Sequence, residues 1–287
     1  MSPLDILWLF FVLSSLQPVL QQRWLAYQRT LALRAIEKRD RSRAITMIHR
    51  REGFAFLGIP FGGFIDIEDS EAIIRAIEMT GNDVPISMVL HTPGGLVLAA
   101  EQIASALAAH PAPVTVYVPH YAMSGGTLIS LAADRIVMSP SAVLGPVDPQ
   151  IGELPVASIL AAIGRKNPDR VEDKTFILAD VGRKAQDQVE AFVAKLLVQR
   201  LPEGQAKDLA HTLSEGRWTH DFPIDADMAQ TMGLPVSTDL PDEVRVLMGL
   251  YPQPRGRRPS VEYIPSPYEV PPRGRVPRPS PSRARVR

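Results

Sequence analysis

The chain has 287 residues, with 31 basic and 31 acidic side chains, six histidines and no cysteine. The missing cysteine excludes disulfides, thiolate nucleophiles, zinc fingers and iron–sulfur clusters. The scattered histidines offer no ligand spacing for a structural zinc or haem, so no metal or cofactor is expected. The zero net charge hides a segregation. Residues 252–287 carry nine Arg against two Glu, so this tail is +7 and the remainder −7, which argues against a globally basic nucleic-acid binder.

From Ile6 to Gln22 the chain runs seventeen residues without a formal charge, with Ile6 to Leu13 apolar all round. A spanning helix needs about 17–25 such residues. A cleavable signal peptide would carry positive charge ahead of the run, and only Asp5 stands there. Residues 1–22 therefore read as a single membrane anchor, with the lipid bilayer as partner of residues 6–22; an interfacial or buried helix is the alternative. Arg23, Arg29, Arg34, Lys38, Arg39, Arg41 and Arg43 all follow the run, so residues 23–43 read as a basic juxtamembrane helix. The positive-inside rule then puts the following domain in the cytoplasm of a single-pass cell-membrane protein.

Residues 44–240 read as one α/β domain. Short β-rich apolar runs at Phe54–Ile59, Ile86–His91, Val114–Pro119 and Arg135–Met138 alternate with helical patterns at Ser70–Met79, Leu96–His110, Gly125–Ala133 and about Asp180–Arg200. Such alternation argues for a parallel sheet covered by helices. Residues 241–251 read as a short connecting segment. The tail at 252–287 has ten Pro in 36 residues and almost no aliphatic content, so it is expected to be disordered, with an unknown partner.

Two glycine-rich junctions follow strands and open helices. In Leu90-His91-Thr92-Pro93-Gly94-Gly95 a Gly pair lets the backbone approach a ligand and turns free N–H groups outward, as an oxyanion hole requires. A tight strand-to-helix turn or a phosphate-binding turn has the same pattern. In Tyr121-Ala122-Met123-Ser124-Gly125-Gly126-Thr127 the serine stands at a helix N-terminus, beside N–H groups and the positive dipole end, where a nucleophile would stand. A plain N-cap serine is the competing reading. Thirty residues separate the two motifs, enough for one helix and one parallel strand, so both turns are expected side by side at the carboxyl edge of the sheet.

Together these motifs resemble the Clp–crotonase fold serine peptidases, and most closely the membrane-anchored signal peptide peptidase A type and the serine dehydrogenase proteinases. The resemblance rests on His91-Thr92-Pro93-Gly94-Gly95, Ala122-Met123-Ser124-Gly125-Gly126-Thr127, Ala132-Ala133-Asp134, Val143-Leu144-Gly145-Pro146-Val147-Asp148-Pro149-Gln150 and Gly216-Arg217-Trp218-Thr219-His220-Asp221. It covers about residues 50–240. It implies a Clp–crotonase-like repeated ββα core, preceded here by one transmembrane helix and followed by the Pro/Arg-rich tail. It also implies Ser124 as nucleophile, backbone N–H groups of Gly94, Gly95 and Gly125 at the oxyanion hole, and a homo-oligomer.

The base is harder to read. His91 and His120 are expected at the site rim. His220-Asp221 is a poor relay, because neighbouring side chains on an extended chain point to opposite faces. The segment that carries the histidine base of the soluble Clp peptidases is Val143 to Asp148 here, and it has none, which argues against a Ser-His-Asp triad. The membrane-anchored relatives use a Ser-Lys pair, and the resemblance carries that lysine onto Lys184, with Lys174 and Lys166 as rivals. A lysine base must lose its proton near neutral pH, which burial and neighbouring cations bring about.

The leading expectation is thus a membrane-anchored serine endopeptidase with a Ser124–Lys184 dyad, cutting membrane-protein segments or signal peptide remnants. A crotonase-type acyl-CoA enzyme and a catalytically silent peptide-binding scaffold are the alternatives.

Overall fold

The computed structural model describes residues 3–49, 55–56, 59–60, 63–152 and 154–251; of residues 3–7, 9–15, 18, 55–56 and 59–60 it describes the backbone alone. The expected tail at 252–287 therefore lies outside the described residues. One helix, α1 (Pro3–Asp40), occupies both the expected anchor and the basic segment without a break. Most side chains of the apolar run lie outside the described set, and among the described residues no helix is long and apolar enough to cross a membrane. The chain turns at Arg41, in the left-handed region at φ 51°, directly into β1 (Arg43–Ile48).

Strand β1 lies where the sequence reading ended the basic helix. Its period-2 burial, with Ile45 and Met47 inward, is a strand signature that the flanking charges masked. The expected strand at Phe54–Ile59 is instead a short hairpin, β2 (Ala55–Phe56) with β3 (Ile59–Pro60). Next come α2 (Ile67–Glu78), β4 (Ile86–His91), α3 (Val97–Ala109), β5 (Val114–Val118), β6 (Tyr121–Ala122), α4 (Gly125–Leu131) and β7 (Arg135–Met138). Then follow β8 (Val143–Leu144), the β9 (Gln150–Ile151) and β10 (Leu154–Pro155) hairpin, α5 (Val156–Arg165) and α6 (Asp173–Leu197). The last elements are α7 (Glu203–Ser214), α8 (Ala226–Thr231), β11 (Val236–Ser237) and α9 (Asp242–Gly249).

The main sheet is parallel throughout, in the order β1-β4-β5-β7-β11. Strand β4 is buried at every residue because both sheet faces are covered. Met88 and Leu90 face a core built with α2, α3, α4, α6 and α7, including Ile103, Leu107, Ile129, Val193 and Leu213. Val89, Tyr117 and Val137 face the other way, onto Ala32 and Ile36 of α1 and Val244 and Leu247 of α9. Residues 241–251 are therefore a packed helix rather than a connector. Arg29 ties α1 to its end, donating to Leu250 O at 3.0 Å and lying 3.8 Å over the Tyr251 ring.

A polar cluster fixes the C-terminal end of α1 on the sheet. The Asp40 carboxylate accepts from Tyr117 OH at 2.7 Å and from Ser87 Oγ at 2.8 Å, and Arg39 Nη1 pairs with its other oxygen at 2.6 Å. Burial and the bond to Asp40 hold the Tyr117 phenol above its ordinary pKa.

Candidate active site

The site grows from a second, narrow ladder at the carboxyl edge of the main sheet. Ile65 bridges Gly95 and Thr92 bridges Ala122, both parallel; β6 then pairs β8 in parallel, and Leu144 bridges Ile224 antiparallel. Two residues beyond its bridge, Ala122 leads to Ser124. Two residues beyond Thr92 lies Gly94, level with it. The ladder is the physical reason that the two glycine-rich turns meet.

Ser124 sits at the N-cap position of α4, yet its side chain makes no cap hydrogen bond. Its backbone has φ 49° and ψ −114°, a region that non-glycine residues occupy at a cost of order 1–3 kcal/mol. A non-glycine residue held there without capping the helix marks the turn as a candidate site and sets aside the plain N-cap reading. Gly94 is pressed against it: at φ 106°, a Cβ on Gly94 would stand 2.8 Å from Ser124 Cβ and 3.3 Å from Gly125 N. Gly95 N in turn lies 3.6 Å from where a Gly125 side chain would begin. Among the described residues neither the Gly95 nor the Gly125 N–H has an acceptor, whereas Gly94 N–H is tied to Thr92 Oγ1 at 3.2 Å. Two amides without acceptors beside a serine hydroxyl are the donors that a developing oxyanion would need. Gly94→Ala is expected to destabilise the fold by about 1–3 kcal/mol and to cut peptide cleavage at least ~100-fold, read by thermal melting and casein hydrolysis.

Lys184 is 67% exposed on α6 and pairs with Asp180, one helical turn back, at 2.5 Å. The inward positions of this stretch are Ala179 and Gly182. Lys174 and Lys166 are likewise exposed. His120 is exposed at the end of β5, but His91 does not reach a rim: it is 1% exposed, 4.2 Å from the Tyr121 ring and edge-on to His120.

A different pair emerges from the ladder. Shortly before the Leu144–Ile224 bridge, His220 stands in a turn closed by Phe222 N–H to Thr219 O, and its side chain reaches Asp148, four residues past Leu144. The two are bonded, His220 Nδ1 to Asp148 Oδ1 at 2.9 Å, with the Asp148 side chain 3% and His220 34% exposed. Gln150 Nε2 donates to the other Asp148 oxygen at 2.7 Å. Because β6 and β8 run parallel, Ser124 and Asp148 follow them at the same end of the ladder, and the bond to Asp148 holds His220 there. Gly145, three residues before Asp148, packs on the serine turn: its N–H donates to Thr127 Oγ1 at 3.0 Å and its Cα faces the Met123 side chain. In sequence, the neighbour of His220 is Asp221, which is not the carboxylate that it meets in the structure. The buried partner lies 72 residues away, in another of the five motifs. Among the described residues no cluster of three or more His, Asp or Glu could hold a metal ion.

A parallel sheet with a serine elbow and facing amides at its carboxyl edge defines a serine hydrolase of the Clp type. The family model for ClpP-like SDH-type serine proteinases matches residues 1–275, and the chain belongs to that family. It is accordingly a serine peptidase, and the acyl-CoA reading and that of a silent scaffold give way. Two uncharacterised proteins of Methanocaldococcus jannaschii, MJ0137 and MJ1495, are 52% and 49% identical to it over 91% and 93% of its length and 92% of theirs. Similar solved structures include a serine-to-alanine mutant of the 1510-N membrane-bound stomatin-specific protease (20% identical, 71% of this chain and 81% of that one, TM-score 0.45). ClpP1 from Listeria monocytogenes is another (16% identical, 78% and 99%, TM-score 0.44).

Proposed function

We propose that the chain is a membrane-anchored serine endopeptidase in which Ser124 attacks the peptide carbonyl and the N–H groups of Gly95 and Gly125 hold the oxyanion. The observation that carries this reading is the strained, uncapping Ser124 against Gly94 and two amides without acceptors.

For the base, the geometry favours His220 over Lys184. Asp148 accepts from Nδ1–H, which leaves Nε2 as the acceptor that a general base needs, while Gln150 satisfies the second carboxylate oxygen. Ser124 and Asp148 follow the parallel neighbours β6 and β8, so the imidazole bonded to Asp148 is carried toward the end of the ladder from which Ser124 emerges. Lys184 has the opposite setting to the one that a lysine base uses, since it is solvated and held by Asp180. In the reaction, neutral His220 takes the Ser124 proton as Oγ bonds to the carbonyl carbon. It returns that proton to the leaving amine, and water then releases the acyl-enzyme.

The apolar run at 6–22 serves as the anchor. The exposed Trp24 and Tyr27 beside Arg23 have the composition of a membrane–water interface, and the basic residues that follow favour a cytoplasmic domain. Substrates are then membrane-protein segments or signal peptide remnants. The exposed Phe176, Ile177 and Val181 on α6 suit a contact between copies in a homo-oligomer.

The full chain is expected to stay with membranes through an alkaline wash and, once in detergent, to cleave casein and take up a fluorophosphonate at Ser124. Label on another residue, or none, removes the mechanism; release by the wash removes the anchor.

A further inference from the structure

The Gly95 amide can serve an oxyanion only if the Gly94–Gly95 peptide faces the right way. A peptide flanked by two glycines, the first at φ 106°, rotates with little steric resistance, so its orientation must be imposed from outside. Two contacts impose it. Gly94 O accepts from Ile65 N–H at 2.8 Å, and because C=O and N–H of one planar trans peptide point oppositely, this aims Gly95 N–H away from Ile65. On the other side, Gly94 N–H, which belongs to the preceding peptide, donates to Thr92 Oγ1 at 3.2 Å, and the same Oγ1 lies 3.4 Å from Gly94 O, so Thr92 fixes the Cα on which the Gly94–Gly95 peptide pivots.

The Thr92 hydroxyl is itself held. Thr92 is fully buried, and its Oγ1 lies 2.8 Å from Nδ1 of His49, the residue directly after β1. His49 Nε2 lies 3.1 Å from Asp69 Oδ2, and the His49 side chain is 13% exposed. The same Asp69 oxygen accepts Asp66 N–H at 3.1 Å in the capping box that starts α2, immediately after Ile65. One neutral tautomer satisfies every group: Nε2–H donates to Asp69, Nδ1 accepts the Thr92 hydroxyl proton, and Oγ1 accepts Gly94 N–H. Thr92 also reaches the nucleophile turn through its backbone, with its N–H donating to Tyr121 O and its O accepting Met123 N–H.

We infer that His49, braced by Asp69, and Thr92 are positioning residues that lock the Gly94–Gly95 peptide with the Gly95 N–H aimed at the oxyanion. This rests on the peptidase mechanism proposed above and extends it to residues that touch neither substrate nor Ser124. The assignment differs from a fold-stabilising role in what it predicts. The lock acts on charge that develops only in the transition state, so its loss lowers kcat and leaves KM nearly alone.

The test uses the full chain in detergent, a fluorogenic peptide and a peptide boronate, whose serine adduct sets an oxygen in the hole. Thr92→Val keeps the shape and removes the hydroxyl, and His49→Ala removes its brace. Both are expected to lower kcat about 10- to 100-fold, with KM within about threefold and boronate affinity falling in step with kcat. Thr92→Ser restores the hydroxyl and is expected to recover most of the kcat lost in Thr92→Val. The inference is overturned if kcat holds, if the loss falls on KM, or if Thr92→Ser is as slow as Thr92→Val. Should Thr92→Val fail to fold by circular dichroism, His49→Ala decides by the same kcat–KM split. Failure of the underlying mechanism is read separately, in the wild-type arm: a parent without fluorophosphonate label at Ser124 sinks both.

Discussion

Replacing Ser124 by glycine is expected to give a protein that cleaves nothing and melts about 2–4 °C above its parent. At φ 49° and ψ −114° the serine Cβ is crowded by its own backbone, at a cost of order 1–3 kcal/mol. Glycine removes that crowding and gives back about 0.5–1 kcal/mol through the greater freedom of its unfolded chain. A net gain of about 1 kcal/mol corresponds to a few degrees for a domain of this size. Ser124→Ala keeps the Cβ, so it should lose the same activity, at least ~10³-fold, with no gain in melting temperature. The pair separates two quantities that one substitution confounds: the hydroxyl that reacts and the strain that presents it. Casein cleavage and calorimetry on the three proteins read both. Equal melting of the glycine and alanine variants would show that no strain is stored at this turn. Turnover surviving in both would take the nucleophile away from Ser124.

The sequence made the sheet legible where both its faces are buried. The runs at Ile86–His91, Val114–Pro119 and Arg135–Met138 are strands in the structure because a doubly covered parallel strand is a continuous apolar run. Strand β1 escaped because it is half-buried and bracketed by Arg41, Arg43 and His49, so that charge density outweighed a short alternation. The helix α9 escaped for a related reason: its partner is α1, some 200 residues earlier, and eight residues bounded by Pro241 carry too little periodicity to announce a second core. The two glycine turns were legible together, because a fixed helix and strand between them leave one arrangement. The Asp148–His220 bond was not, although both residues stood in motifs already singled out. It depends on the bridge at Leu144–Ile224 and on the turn at Thr219–Phe222 that brings the imidazole back to Asp148, and such tertiary pairing is encoded by no local spacing. Lys184 was carried over from the resemblance, and only burial distinguishes a base lysine from a surface one.

The assignment of the base has the next largest expected effect, and three variants decide it. His220→Ala should lower kcat about 10²–10⁴-fold, because no other group takes the Ser124 proton. Asp148→Asn should lose a comparable factor by a different route. An amide that donates to Nδ1 selects the tautomer with its proton on Nε2, and the imidazole then has no lone pair for the serine. Lys184→Ala should change kcat by less than about threefold. It should barely move stability either, since an exposed i,i+4 ion pair contributes about 0.3–0.5 kcal/mol. A buried carboxylate also supports the fold, so Asp148→Asn must be accompanied by a melting curve. His220→Ala carries its own control: added imidazole can enter the space left by the ring and restore part of the rate, which a merely structural histidine would not allow. If instead Lys184→Ala abolishes turnover and His220→Ala stays active, the proton goes to Lys184 and the Asp148–His220 bond is a strut between the segment after β8 and the turn before α8. That outcome would require Lys184 to leave Asp180 and the solvent before each turnover, so Asp180→Ala, which frees the lysine, would then raise kcat.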